Sequence, residues 1–173
     1  KGKSEMDRTN LKGKRVLVFG SGISGIGAVR LLEAVQADVI LYDGNKALDK
    51  EEIRGRLPKN AACEIVLGEL PKELLASLDL VVMSPGVPLD IAPVEAIRRA
   101  GIPVWGEVEL AFRTGAGTVL AITGTNGKTT TTALLGEIMK AYAKSVFVVG
   151  NIGNAYTGAA LSMTEESYTV AEI

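Results

Sequence analysis

Along this chain, short apolar runs rich in β-branched residues alternate with longer stretches whose apolar positions recur roughly every three to four residues. The short runs predict strands at residues 15–19, 38–42, 62–66, 80–83, 104–105, 118–122, 145–149 and 168–171. The longer stretches predict helices at 25–35, 47–56, 72–77, 92–100, 107–113 and 129–142. Alternating strand and helix is the signature of βαβ units around a parallel sheet, so the fold class is α/β.

Two glycine-rich loops interrupt this pattern, each directly after a strand: one follows Phe19 and the other Ile122. Two such loops predict two nucleotide-binding sheets in series. The polar, glycine-rich stretch Thr114-Gly115-Ala116-Gly117 is the natural joint, which divides the chain into domains 1–114 and 115–173. The second part supplies few strands, the last of them at the end of the sequence. So small a parallel sheet leaves an edge and a face uncovered, and the chain is expected to be a piece of a longer protein.

Composition narrows the function classes. The 173 residues are 47% hydrophobic and 23% charged, as in ordinary globular proteins. Nineteen basic and twenty acidic residues nearly cancel, to a net charge of −1, which argues against nucleic acid as a partner. The single cysteine, Cys63, has no partner for a disulfide and reads as a core or surface residue of a reducing compartment. The polar start Lys1-Gly2-Lys3-Ser4 is no secretory signal, and the longest apolar runs, such as Leu80-Val81-Val82-Met83, are strand-sized. A cytoplasmic protein with no membrane insertion is expected. Histidine is absent, which removes Ser-His-Asp and Cys-His catalysis and His-ligated zinc from these residues.

The first loop, Gly20-Ser21-Gly22-Ile23-Ser24-Gly25, matches G-x-G-x-x-G between a strand and an apolar helix. Its glycines allow a tight turn and let backbone N–H groups approach a pyrophosphate at the positive end of the helix. Asp43 closes the second strand, near where dinucleotide folds hold a ribose hydroxyl. Gly-rich turns also serve only to pack a helix on a sheet, and the motif does not separate NAD from another diphosphate nucleotide. A third element, Ser84-Pro85-Gly86-Val87-Pro88, follows the fourth strand and sets Gly86 at the same carboxyl edge.

The second loop, Thr123-Gly124-Thr125-Asn126-Gly127-Lys128-Thr129-Thr130, has the strand, glycine-rich turn and Lys-Thr helix start of a phosphate-binding P-loop. It departs from the strict G-x-x-x-x-G-K-[ST] pattern, because Ile122 holds the first glycine position. Backbone amides of Gly124 to Thr130 would cradle the phosphates of ATP, Lys128 would reach the β and γ oxygens as the catalytic cation, and the Thr129 hydroxyl would ligate Mg2+. Gly150-Asn151-Ile152-Gly153 and Glu172 each follow a strand on that edge, and Glu172 stands where P-loop enzymes carry a second metal-binding acid.

Taken together, the second loop, Gly150-Asn151-Ile152-Gly153 and Ala171-Glu172-Ile173 resemble the Mur ligases of bacterial cell-wall synthesis. With the first loop, Asp43, Ser84-Pro85-Gly86-Val87-Pro88 and Gly106-Glu107-Val108-Glu109-Leu110, the likeness leans to the members that act on UDP-N-acetylmuramoyl-L-alanine and D-glutamate. The resemblance implies a Rossmann-like first domain that binds the UDP of the sugar substrate, with Gly22, Ile23, Ser24, Asp43, Gly86 and Asn151 at that site. It implies ATP on the second loop and Mg2+ on Thr129 and Glu172. Family members have three domains and more than twice this length, so the acceptor domain lies outside these residues. Some relatives carry a basic residue just after the equivalent of Asp43, where this chain has Gly44 and Asn45. Another Mur ligase with a different amino-acid acceptor is the alternative within the family, and a binding module that holds a nucleotide without chemistry is the alternative of a different class. A dehydrogenase is the other, suggested only by the first loop and Asp43.

Overall fold

The computed structural model describes residues 10–150 and 155–173, which form two compact units, Leu11–Glu107 and one built on Val108–Ile173. The division falls ahead of the Thr114–Gly117 joint, so the helix at 107–114 groups with the second unit.

In the first unit β1 (Arg15–Phe19), β2 (Asp38–Asp43), β3 (Glu64–Leu67), β4 (Leu80–Met83) and β5 (Val104–Gly106) form one sheet in the order β3-β2-β1-β4-β5, with every neighbour parallel. The chain moves outward one way through β1, β2 and β3, then returns beside β1 to begin the other half. The order thus reverses between β1 and β4, and in such sheets ligands lie in the crevice outside the carboxyl ends at that reversal. The central strands are continuous apolar runs because helices α1 (Ile23–Ala34), α2 (Lys50–Arg56), α3 (Lys72–Leu75) and α4 (Ala92–Arg99) connect them. One buried cluster joins Leu17, Phe19, Ile40, Tyr42, Val81 and Met83 to Val94 and Ile97 of α4. Phe19 and Tyr42 meet edge to face with ring centroids 4.6 Å apart. Truncating a fully buried residue such as Leu17 to Ala costs roughly 2–5 kcal/mol at sites of this kind.

Some element boundaries differ from the sequence expectation, for local reasons. Helix α2 begins at Lys50 and not near 47, because the Asn45 side chain accepts from Ala47 N at 3.0 Å and Asp49 caps the helix by accepting from Glu51 N at 2.8 Å. Helix α1 begins two residues before the expected Gly25, and α3 is a single turn ending at Leu75. Strand β3 starts at Glu64 rather than 62 and forms the sheet edge. Cys63, just before it, is buried with its thiol pushed up to about 11, by burial first and by the Glu33 charge second.

The second unit holds α5 (Glu107–Thr114), β6 (Thr118–Ile122), α6 (Lys128–Tyr142), β7 (Val146–Gly150), the short α7 (Tyr156–Ala159) with a 3-10 turn at Ala160–Ser162, and β8 (Tyr168–Glu172). Its parallel sheet runs β6-β8-β7, so the last strand in sequence lies in the middle. Residues Thr169 to Glu172 of β8 are buried, while β6 and β7 are largely half-buried at the two edges. Helix α6 crosses close to β7 at Gly136, where a Cβ would stand 2.6 Å from Val148 Cγ2. That close approach accounts for a glycine inside a helix, a position it otherwise weakens by about 1 kcal/mol. The α7 turn was not anticipated, since four residues carry no readable period. Among the described residues no helix is long and apolar enough to cross a membrane.

Candidate functional sites at the carboxyl ends of the two sheets

The first site is a crevice of about 560 Å3 at the β1–β4 reversal. Gly22, Ile23, Ser24, Asp43 and Gly86, all anticipated from sequence, line it together with Gly20, Ser21, Gly44 and the Ser84–Pro88 turn. The loop after β1 needs glycine at two points. Gly20 has φ +104°, and a Cβ there would sit 3.0 Å from the Ser84 side chain. At Gly25 a Cβ would run into the Gly20 carbonyl oxygen, so only glycine lets α1 start against the strand end. Gly22 and Gly86 face open space, where an added Cβ would meet nothing within 4 Å. Ile23 is 85% exposed at the first turn of α1, an apolar platform at the mouth of the crevice.

Asp43 is held within the protein. Ser21 donates to its Oδ2 twice, from N at 2.9 Å and from Oγ at 2.7 Å, and Asn45 N donates to Oδ1 at 3.0 Å. Burial opposes ionisation of this carboxyl, but the bonds from Asn45 and Ser21 outweigh it and hold its pKa below the ordinary value. Ser21 was not among the anticipated site residues. Its signal in the sequence was a hydroxyl inside the glycine loop paired with an acid at the end of β2. Asn45 spends its side-chain oxygen on the turn that precedes α2.

The second site is a hollow of about 250 Å3 lined by Thr125, Asn126, Gly127, Lys128, Thr129, Thr130 and Glu172. Gly127, at φ +75°, takes the left-handed conformation that turns the chain into α6. Gly124, at φ +145°, opens the loop, and its carbonyl accepts from Lys128 Nζ at 2.7 Å, which holds the ammonium across the loop. Glu172 pairs in register with Ile122, the last residue before the loop, and with Gly150 on its other side. Gly150 is at φ +113°, and a Cβ there would run into the Glu172 carbonyl oxygen. Strand register therefore brings a carboxylate to the loop: Thr129 Oγ1 donates to Glu172 Oε1 at 3.3 Å.

Glu172 is 6% exposed, and its Oε2 is buried with no hydrogen-bond partner among the described residues. An orphaned buried carboxylate oxygen is costly unless a cation or donor takes it up. A hydroxyl and one carboxylate suit Mg2+, which keeps several waters and binds through one or two carboxylates plus substrate phosphates. Among the described residues there is no cluster of three or more His, Cys, Asp or Glu to hold a metal without a phosphate. Asn151 lies outside the described residues.

Comparison with known proteins adds to this geometry. Residues 14–106 match the family description "Mur ligase MurD-like, N-terminal domain", and residues 122–173 match "Mur ligase middle domain". The chain is similar to proteins named UDP-N-acetylmuramoylalanine--D-glutamate ligase. It is 58% identical over 164 residues to the one from Lachnospira eligens and 54% identical over 164 residues to the one from Lachnoclostridium phytofermentans. In both cases the match covers 95% of this chain and 36% of the relative, so the chain spans about a third of the length of these proteins. Among solved structures, a murein peptide ligase from Psychrobacter arcticus superposes with a TM-score of 0.55 at 19% identity, over 92% of this chain and 37% of that one. A pseudomurein peptide ligase type C from Methanothermus fervidus does so with a TM-score of 0.52 at 21% identity, over 92% and 33%. These two likenesses concern the fold.

Proposed function

The chain belongs to the Mur ligase family, and on that premise we propose that it forms the nucleotide-handling part of an ATP-dependent ligase that joins D-glutamate to UDP-N-acetylmuramoyl-L-alanine. In this reading residues 1–114 bind the UDP of the sugar substrate and 115–173 open the ATP-binding domain. The observation that carries it is the meeting of Lys128, Thr129 and the Glu172 carboxylate, whose Oε2 has no hydrogen-bond partner among the described residues, at one glycine loop.

The reaction transfers the γ-phosphoryl of ATP to the alanine carboxylate of the sugar substrate and leaves ADP. The amine of D-glutamate then attacks the acyl carbon, phosphate leaves, and the amine loses a proton as the amide forms. Such a transfer is governed by positioning and charge neutralisation. Lys128 neutralises charge on the β and γ oxygens as it builds. The amides of Gly124 to Thr130 orient the phosphates, with Gly127 turning the N–H groups at the start of α6 toward them. Thr129 and Glu172 would hold Mg2+, which would supply charge stabilisation on the phosphates. In the first unit Gly22, Ile23, Ser24 and Gly86 seat the UDP diphosphate and nucleoside beside Asp43, and Asn151 contributes to the substrate site. An enzyme fed by ATP and a UDP-linked precursor works in the cytoplasm.

Calorimetric titration of the chain with UDP and with NAD tests the first-domain half of this reading. UDP should bind more tightly. Equal or tighter binding of NAD would contradict it and favour the dehydrogenase-type use of the glycine loop.

A further inference from the structure

Ser21 is 5% exposed, and both of its donors converge on one atom, Asp43 Oδ2, at 2.9 Å from the amide and 2.7 Å from the hydroxyl. The other carboxylate oxygen, Oδ1, accepts from Asn45 N at 3.0 Å. An ionised carboxylate offers about four acceptor positions, two on each oxygen. Ser21 therefore fills Oδ2, and Oδ1 keeps one acceptor position among the described residues. The glycine loop does not need the Ser21 hydroxyl to stay on β2, because Gly20 N already donates to the Tyr42 carbonyl at 2.8 Å. Ser21 and Asp43 both line the crevice at the β1–β4 reversal.

We propose that Ser21 is a positioning residue for nucleotide binding: it clamps Asp43 through Oδ2, so that Oδ1 accepts a hydrogen bond from a donor group of the nucleoside. This inference rests on the crevice being the UDP site. The clamp orders the carboxylate before the ligand arrives, so binding does not have to freeze its rotamer. The same two bonds also favour the ionised form, which is the acceptor-only form the role requires.

A double-mutant cycle read by UDP affinity separates this role from simple support of the loop. Ser21→Ala removes the hydroxyl donor and leaves the amide donor, and UDP binding should weaken about tenfold, as for loss of one hydrogen bond to a charged group. Asp43→Ala should weaken binding further, and adding Ser21→Ala to it should change nothing beyond about twofold, because Ser21 acts through the carboxylate. In carboxyl-carbon NMR, the Asp43 signal of Ser21→Ala should titrate at higher pH than in the unaltered chain. Ser21→Cys, similar in shape with a weak donor, takes the place of Ser21→Ala if that variant does not fold. Unchanged UDP affinity in Ser21→Ala, or the same loss with and without the Asp43 carboxylate, overturns the proposal and leaves the UDP reading standing. Failure of the unaltered chain to bind UDP overturns both.

Discussion

The two glycine loops hold equivalent places, each at the carboxyl end of the first strand of a parallel sheet and each opening the helix that follows. Their surroundings differ. The first loop contains no cation and sits in the larger crevice, lined by Ile23, Val87, Ile91 and three prolines, with its acid tied up by Ser21 and Asn45. The second carries Lys128 within the loop, faces a smaller hollow, and meets a carboxylate with a free buried oxygen. A binding site needs shape and fixed donors, whereas phosphoryl transfer needs charge placed where charge develops. On the proposed reading, one strand-turn-helix plan supports holding in one unit and chemistry in the other.

Glycine substitutions should break the comparison most severely. Gly25→Ala in the first loop and Gly150→Ala beside the second each drive a Cβ into a carbonyl oxygen, and Gly150 adds a left-handed φ. Overpacking of this kind costs about 1–3 kcal/mol and occasionally more, so each variant should melt well below the unaltered chain by calorimetry. Gly86→Ala, whose Cβ meets nothing within 4 Å, should melt unchanged and lose only UDP affinity.

The charges of the second loop should act on the reaction barrier and leave the fold in place. In the enzyme that contains these residues, Lys128→Ala should slow turnover on the order of a hundred- to a thousand-fold, roughly 3–4 kcal/mol in the barrier, with the melting temperature little changed. Glu172→Gln keeps the shape and removes the charge, so half-saturation with Mg2+ should require several-fold more metal at constant ATP, read by titration of ATPase activity.

Much of this arrangement is legible in sequence, and the reasons it stops are local. Strands β1, β4 and β6 fall on the expected residues because each reads as a nearly unbroken apolar run, whether central as β1 and β4 are or at an edge as β6 is. The glycine-rich loop before α6 is legible because its residues are contiguous, from Gly124 to Thr130. The start of α2 was misplaced because two side chains, Asn45 and Asp49, capture backbone N–H groups that a periodicity count assigns to the helix. The Ser21–Asp43 clamp escaped because it joins residues on different elements, and only the parallel register of β1 with β2 brings them together.

The smallest effect is one of pH. The folded-state pKa of Asp43 is depressed, so its contribution to stability is present above the ordinary value of 3.8 and is lost as pH falls through the lower folded value. The melting temperature should therefore decline in acid below about 4, and the part of the decline due to Asp43 should shrink in Ser21→Ala. A decline unchanged by that substitution would remove Ser21 from the cause.

The central claim is that the two loops hold different nucleotides, and one pair of titrations tests it most directly: Mg2+-ATP and UDP, each added calorimetrically to the chain and to Lys128→Ala. Lys128→Ala should lose most of its affinity for Mg2+-ATP while its dissociation constant for UDP stays within about twofold of the unaltered value. Loss of UDP binding alongside ATP, or retention of full ATP affinity, would contradict the assignment.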